Sequence, residues 1–155
     1  MAEKRLLIVA HAPSDNTKSL LQAVIRGANS VIDHKIEVVA QGPFETMPDD
    51  VLRADAVILG TTENLGYMSG ALKDFFDRIY YPCLEEKQGL PYCLFVRAGQ
   101  DGTGTCRGVE TITTGLRWRA IQAPLICRGE WQANFIGQGK ELGAAMAAGL
   151  DLGVF

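Results

Sequence analysis

A chain of 155 residues has the length of one domain, with no room for two ordinary ones. Apolar residues make up 47% of it and charged residues 21%, which are globular proportions and allow a full core without a disulfide or metal staple. Fifteen basic against eighteen acidic residues leave a net charge of −3, and no Lys/Arg run interrupts that balance, which excludes a nucleic-acid partner held by phosphate attraction.

The first element is predicted at residues 5–10. Lys4 and Arg5 stand before the apolar run 6–10. That run is too short for a signal segment or a membrane span and reads as a buried strand, so a soluble, cytoplasmic protein without a membrane partner is expected. Further strands are predicted at 36–40, 56–60, 92–98 and 124–128. All but the second are apolar nearly throughout, as strands covered on both faces are.

Helical periods lie between them. Leu20, Leu21, Val24 and Ile25 mark the first helix. The segment 41–53, with Pro43 and Pro48, is expected to be a loop and one short helix. Leu72, Phe75, Phe76 and Ile79 mark the next helix, where Asp74 and Arg78 form an i,i+4 pair on the wet side. Val109, Ile112 and Leu116 continue the rule. The last helical stretch, 139–149, sets Leu142 and Met146 among alanines and glycines, which suits close approach to a neighbouring helix. Five strands alternating with helices give an α/β domain spanning 1–155. Its sheet is expected to be parallel and doubly wound, with right-handed crossovers. Ligands bind such sheets at the carboxyl ends of the strands, where the strand order reverses.

Three loops follow those ends. The first, 11–18, offers Ser14, Asn16 and Thr17 at the start of a helix, where hydroxyls and free backbone N–H groups suit a phosphate. Asp15 would repel a phosphate unless it points away, and Ser14 or Asp15 could equally cap the helix. The second loop contains Thr61, Thr62, Glu63, Asn64, Leu65, Gly66, Tyr67 and Met68, long and polar for a strand-to-helix connection. The third carries Gly99, Gly102 and Gly104, which let backbone approach a flat ligand. Neither a dinucleotide fingerprint nor a Walker loop occurs.

These loops resemble the flavin mononucleotide (FMN) site of the flavodoxin-like superfamily. Residues 12–17 are similar to its S-x-T-G-N-T phosphate motif. Residues 60–73 are similar to the G-T-P-T-R-x-G-x-M-x-x-x-(L/M)-K pattern of NAD(P)H-dependent FMN reductases and tryptophan-repressor-binding-protein-type quinone reductases, and Asp77 fits the same pattern. Ala12, Asp15, Thr62 and Asn64 depart from those motifs. The resemblance implies a three-layer flavodoxin-like fold with a five-stranded sheet in the order 2-1-3-4-5. It also implies a cofactor site built from Ser14, Asn16, Thr17, residues 61–68, Gly99 and Gly102. Backbone N–H groups near Leu65, Gly66 and Gly102 would face the flavin ring, and Tyr67 would border the nicotinamide pocket.

Two functions follow. One is an FMN-dependent oxidoreductase taking hydride from NAD(P)H and passing electrons to a quinone, a flavin or a similar small-molecule acceptor, with a homo-oligomer expected. The other is a flavodoxin-type electron carrier without NAD(P)H activity, although such carriers are strongly acidic and sandwich the ring between aromatic residues. No catalytic side chain and no metal are expected. Cys83, Cys93, Cys106 and Cys127 are spaced by 10, 13 and 21 residues, and neither His11 nor His34 is near them in sequence. Reduced, structural cysteines are therefore expected, with Cys106 singled out as lying near a helix start that would favour a thiolate. An acidic pair after the first strand, C-x5-R and G-x-S-x-G are all missing, which removes receiver, phosphatase and hydrolase chemistry.

Overall fold

The computed structural model describes residues 3–31 and 35–155, so His34 lies outside the described residues. In chain order the elements are β1 (Lys4–Ala10), α1 (Asp15–Asn29), β2 (Ile36–Gln41), a 3₁₀ turn (Pro43–Glu45), α2 (Pro48–Leu52), β3 (Ala56–Asn64), β4 (Tyr67–Met68) and α3 (Gly70–Cys83). Then come β5 (Pro91–Ala98), α4 (Thr103–Gly115), β6 (Arg119–Ala120), β7 (Leu125–Arg128) and α5 (Asn134–Leu152).

The sheet runs β2-β1-β3-β5, with β6 and β7 both paired to the outer side of β5, and every one of these pairs is parallel. Counting principal strands along the chain, this is the expected 2-1-3-4-5 order. β1, β3 and β5 lie inside the sheet and are buried on both faces, which is why they read as continuous apolar runs. Among the described residues β2 pairs only with β1; it is half exposed, and its mixed sequence is that of an edge.

Two departures have local causes. β3 does not stop at Gly60 but runs on to Asn64 and turns back into β4, so much of the expected second loop is a hairpin. The fifth strand is split: Arg119–Ala120 pairs with one end of β5 and Leu125–Arg128 with the other. Pro124 lies in the gap and has no N–H to give to a ladder.

Strand alternation divides the core in two. Leu7, Val9, Val57, Leu59, Leu94 and Val96 face α3 and α4 through Phe75, Phe76, Ile79 and Val109. Trp118 belongs to this layer, its ring 6.3 Å from that of Phe76 and 6.1 Å from that of Tyr92. Leu6, Ile8, Ile58, Cys93 and Phe95 face the other way, toward Leu20 and Val24 of α1 and Leu142 and Met146 of α5.

The small residues of α5 serve the close approach expected of them. A methyl group at Gly143 would collide with the Val24 carbonyl of α1, and one at Gly27 with the Lys140 carbonyl of α5. The helices thus meet backbone to backbone, and alanine at Gly143 has rigid atoms to displace. Gly143→Ala should destabilise the protein by about 1–3 kcal/mol, the usual range for overpacking. A urea titration reads this directly, and an unchanged midpoint would mean that the two helices can part cheaply.

Candidate functional site

The chain reverses direction in the sheet at β1, with β2 on one side and β3 on the other. The loops after β1, β3 and β5 therefore gather at one edge, around two adjoining depressions of about 550 and 520 Å³. Both fall within the roughly 300–1,000 Å³ of small-molecule sites. They share Glu63 and Gly99 as walls, so together they form one groove. Ser14, Asn16, Thr17, Thr62 and Asn64 line its first part, and Leu65, Gly66, Gln100 and Asp101 its second.

The loop after β1 is shaped by helix capping. Ser14 is the N-cap of α1: its Oγ accepts from the Thr17 N–H at 3.2 Å, while the Ser14 N–H donates to Thr17 Oγ1 at 2.9 Å. Thr17 Oγ1 also donates to the Ser14 carbonyl at 3.0 Å. Both hydroxyls are thus already engaged within the turn, and each reciprocal cap satisfies a donor that would otherwise be orphaned. Asp15 is exposed in the first turn of α1, where the helix dipole favours a carboxylate, and it is not among the residues lining the groove.

The hairpin after β3 aims the middle of the site. Leu65 and Gly66 have φ of 53° and 78°, the positive values that a two-residue type I′ turn requires. Leu65 stands fully exposed at the tip. Thr62 Oγ1 donates to Asn64 Oδ1 at 2.8 Å on the groove side. Thr61 and Met68, two expected cofactor contacts, are instead buried at 2% exposure each. The Thr61 hydroxyl accepts from the Ser69 N–H at 3.0 Å and donates to the Thr62 carbonyl at 2.9 Å, so it braces the hairpin. Tyr67 also departs from expectation. Its ring lies against Gly108 of α4, at 40% exposure, and borders neither depression.

Glu63 joins two of the loops. One carboxylate oxygen accepts from the Gln100 N–H at 3.2 Å and the other from the Gly102 N–H at 2.9 Å. The Gly102 N–H is therefore not available to a flavin ring. Gly102 has φ of 73° at the N-cap of α4. Asp101 accepts from the Thr103 N–H and hydroxyl at 2.8 and 2.9 Å, and these bonds hold its carboxyl below the usual range.

One residue of the groove was not foreseen. Arg97, at the end of β5, lines the first depression. Its Nη1 donates to the carbonyls of Ala98 and Cys127 at 2.7 and 3.0 Å, and its guanidinium lies 5.8 Å from the centre of the Trp131 ring and 5.4 Å from that of Phe135. A lone arginine inside an apolar strand, 92–98, was the available signal.

No protein-family model matches the chain. A curated flavodoxin from Aquifex aeolicus is 31% identical over 111 residues, which cover 70% of this chain and 59% of that protein. Among solved structures, a flavodoxin from the domain Archaea superposes with a TM-score of 0.78 at 18% identity, covering 93% of this chain and 96% of that one. The chain has the flavodoxin fold. A flavodoxin, WrbA-like protein from Agrobacterium tumefaciens superposes at 0.72 and 15% identity, covering 94% and 96% of the two chains. Two-electron reduced flavodoxin from Megasphaera elsdenii does so at 0.74 and 20%, covering 92% and 98%. Among the described residues no His/Cys/Asp/Glu group could hold a metal ion, and no helix is long and apolar enough to cross a membrane.

The cysteines of this flavodoxin-like domain are all free and buried. Burial pushes the Cys83 and Cys127 thiols up to about 11 and raises Cys93 further. Cys106, in the first turn of α4, is also raised, by burial first and by Glu110 second, which reverses the expectation of a favoured thiolate. Native protein at pH 8 should leave all four thiols unreactive to a disulfide reagent over minutes, and denatured protein should release four. A fast native equivalent assigned to Cys106 would contradict this burial.

The Glu63 bridge has its own test. Glu63→Gln keeps the shape but offers one acceptor oxygen to two N–H donors, so one hydrogen bond is lost and the other loses its charge, from bonds worth about 1.5–3 kcal/mol each. Amide exchange at Gly102, at Gln100 or at both should then quicken by roughly 10-fold or more. Unchanged protection would mean that the loop after β5 holds itself in place.

Proposed function

We propose that the groove binds FMN and that the protein is an NAD(P)H-dependent reductase passing electrons to a quinone, a flavin or a similar small acceptor. The flavodoxin relative and the fold support the first half of this reading, and so do the groove's position and size. At the phosphate end Asp15 stays outside the lining and Arg97 is part of it, while the Glu63 carboxylate, the other charged wall, is turned onto the Gln100 and Gly102 N–H groups.

Bound there, FMN supplies hydride acceptance at N5 and onward electron transfer, and the protein's share is binding and orientation. The N-terminus of α1, through the backbone N–H groups of Asp15 and Asn16, which the helix cap does not engage, would face the phosphate. Thr62 and Asn64 border the middle of the groove, where a ribityl chain would cross. Leu65, Gly66, Gly99 and Gln100 surround the ring end, and Glu63 keeps the two loops there in register.

The observation that favours a reductase is the absence of any aromatic side chain among the residues lining the second depression. Tyr67 is turned onto α4. A ring in this groove keeps one face open, and a nicotinamide can stack on that face. Both the donor and the acceptor would use it in turn. The second reading, a flavodoxin-type carrier, draws on the Aquifex aeolicus relative, of whose length this chain spans 59%.

FMN-loaded protein mixed anaerobically with NADPH or NADH decides between them. Loss of the flavin's visible absorbance without added reductase, followed by reoxidation on adding a quinone with ping-pong kinetics, is the expected result. Flavin that neither nucleotide bleaches, but that a separate reductase does, would establish the carrier instead.

A further inference from the structure

We infer that Arg97 is the anion anchor of the groove, a cation held by an aromatic pair that selects phosphorylated flavin over its unphosphorylated form. The inference rests on the proposed reading of the groove as a flavin site and adds to it the group that recognises the phosphate monoester.

Strand alternation determines where Arg97 points. Cys93 and Phe95 belong to the layer facing α1 and α5, so Arg97, two residues on, extends from that same face. It is paired in register with Thr62 of β3 and with Cys127 of β7. The N-terminus of α1 lies at the same edge, and Arg97, Thr62, Ser14 and Thr17 all line one depression. Among the residues lining that depression, Arg97 is the one permanently charged cation.

Its donors are divided between structure and groove. Both bonds that tie it to the backbone come from Nη1, at 2.7 Å to Ala98 and 3.0 Å to Cys127. Nε–H and the two hydrogens of Nη2 have no protein acceptor among the described residues, and these form the edge of the fork that matches phosphate oxygens. Trp131 and Phe135 lie within 6 Å of the guanidinium and pack on each other at 5.4 Å. They fix its plane before a ligand arrives, so little side-chain freedom is lost on binding. Such a cation also answers the hydroxyls of Ser14 and Thr17, which are occupied by the helix cap. With those groups engaged, a charged donor is what remains to tell a dianion from a neutral hydroxyl.

Flavin fluorescence titrations with FMN and with riboflavin test this on wild type, Arg97→Gln and Arg97→Lys. Wild type should prefer FMN. Arg97→Gln should weaken FMN by about 10- to 100-fold, the equivalent of one charged hydrogen bond or somewhat more, and leave riboflavin within about 2-fold. Arg97→Lys, which keeps the charge and protects against misfolding, should fall between them. The affinity of wild type for FMN should also drop more steeply with salt than that of Arg97→Gln. Equal loss of both flavins in Arg97→Gln would assign Arg97 to the β5–β7 tie alone and overturn the inference, as would no change in either. If wild type binds neither flavin, the flavin reading fails. Inorganic phosphate, followed by ³¹P line broadening, then decides separately: broadening lost in Arg97→Gln keeps Arg97 as the anion anchor, and broadening absent from wild type or equal in both removes it.

Discussion

The arrangement depends on one constraint, the hand of the crossover between parallel strands. Each β-helix-β connection must turn right-handed, so a chain that adds β2 on one side of β1 and β3 on the other sends its helices to opposite faces. That is how α1 and α5 come to share one layer and α3 and α4 the other. The loops leaving β1 and β3 then diverge, and the space between them becomes the groove. Nothing in the loops themselves is needed to open it. Their composition decides what the opening can hold.

The strands were legible where both faces are covered, because burial makes the code a simple apolar run. The hairpin was less so, since residues 61–68 are polar and glycine-containing and read as a loop. A signal was present in Asn64-Leu65-Gly66-Tyr67, a two-residue turn with glycine second, but leucine first is a poor candidate for positive φ. The start of α5 was missed by five residues, from 139 back to Asn134, because Ala133 provides no capping side chain. The positions of the three loops followed from the sequence. The partners of their polar groups did not, since a glutamate in one loop and an N–H in another meet only after folding.

Glu63 shows what that distinction means for the site. A carboxylate at the end of β3 reads in sequence either as tuning a bound ring or as orienting the loop, and its oxygens close on the backbone of Gln100 and Gly102, as the second reading has it. The Thr61 hydroxyl and the capping pair at Ser14 and Thr17 are likewise directed inward. Polar groups gathered at a strand edge must satisfy each other when no ligand is present, because each buried donor left alone costs about 1–3 kcal/mol. The polar groups of the groove's walls are therefore tied to one another, and ligand recognition is left to the groups the fold has not used. Those groups are the backbone of α1's first turn, the fork of Arg97 and the tip of the hairpin.

The tip is the part that stability alone does not explain. Leu65 adopts a left-handed conformation, which costs an ordinary L-residue about 1–2 kcal/mol, and its apolar side chain is fully exposed. Asparagine or glycine would suit the turn better and would expose no hydrocarbon. Burying a leucine side chain contributes about 1.5–3 kcal/mol, comparable to the strain the turn carries. Under the proposed reading, a flat ring lodged between this tip and Gln100 would cover the leucine and offset the strain that the free protein bears. The hairpin's least favourable residue for folding is then a contributor to binding, and its place at the ring end of the groove, opposite Arg97, separates apolar recognition of the ring from ionic recognition of the phosphate.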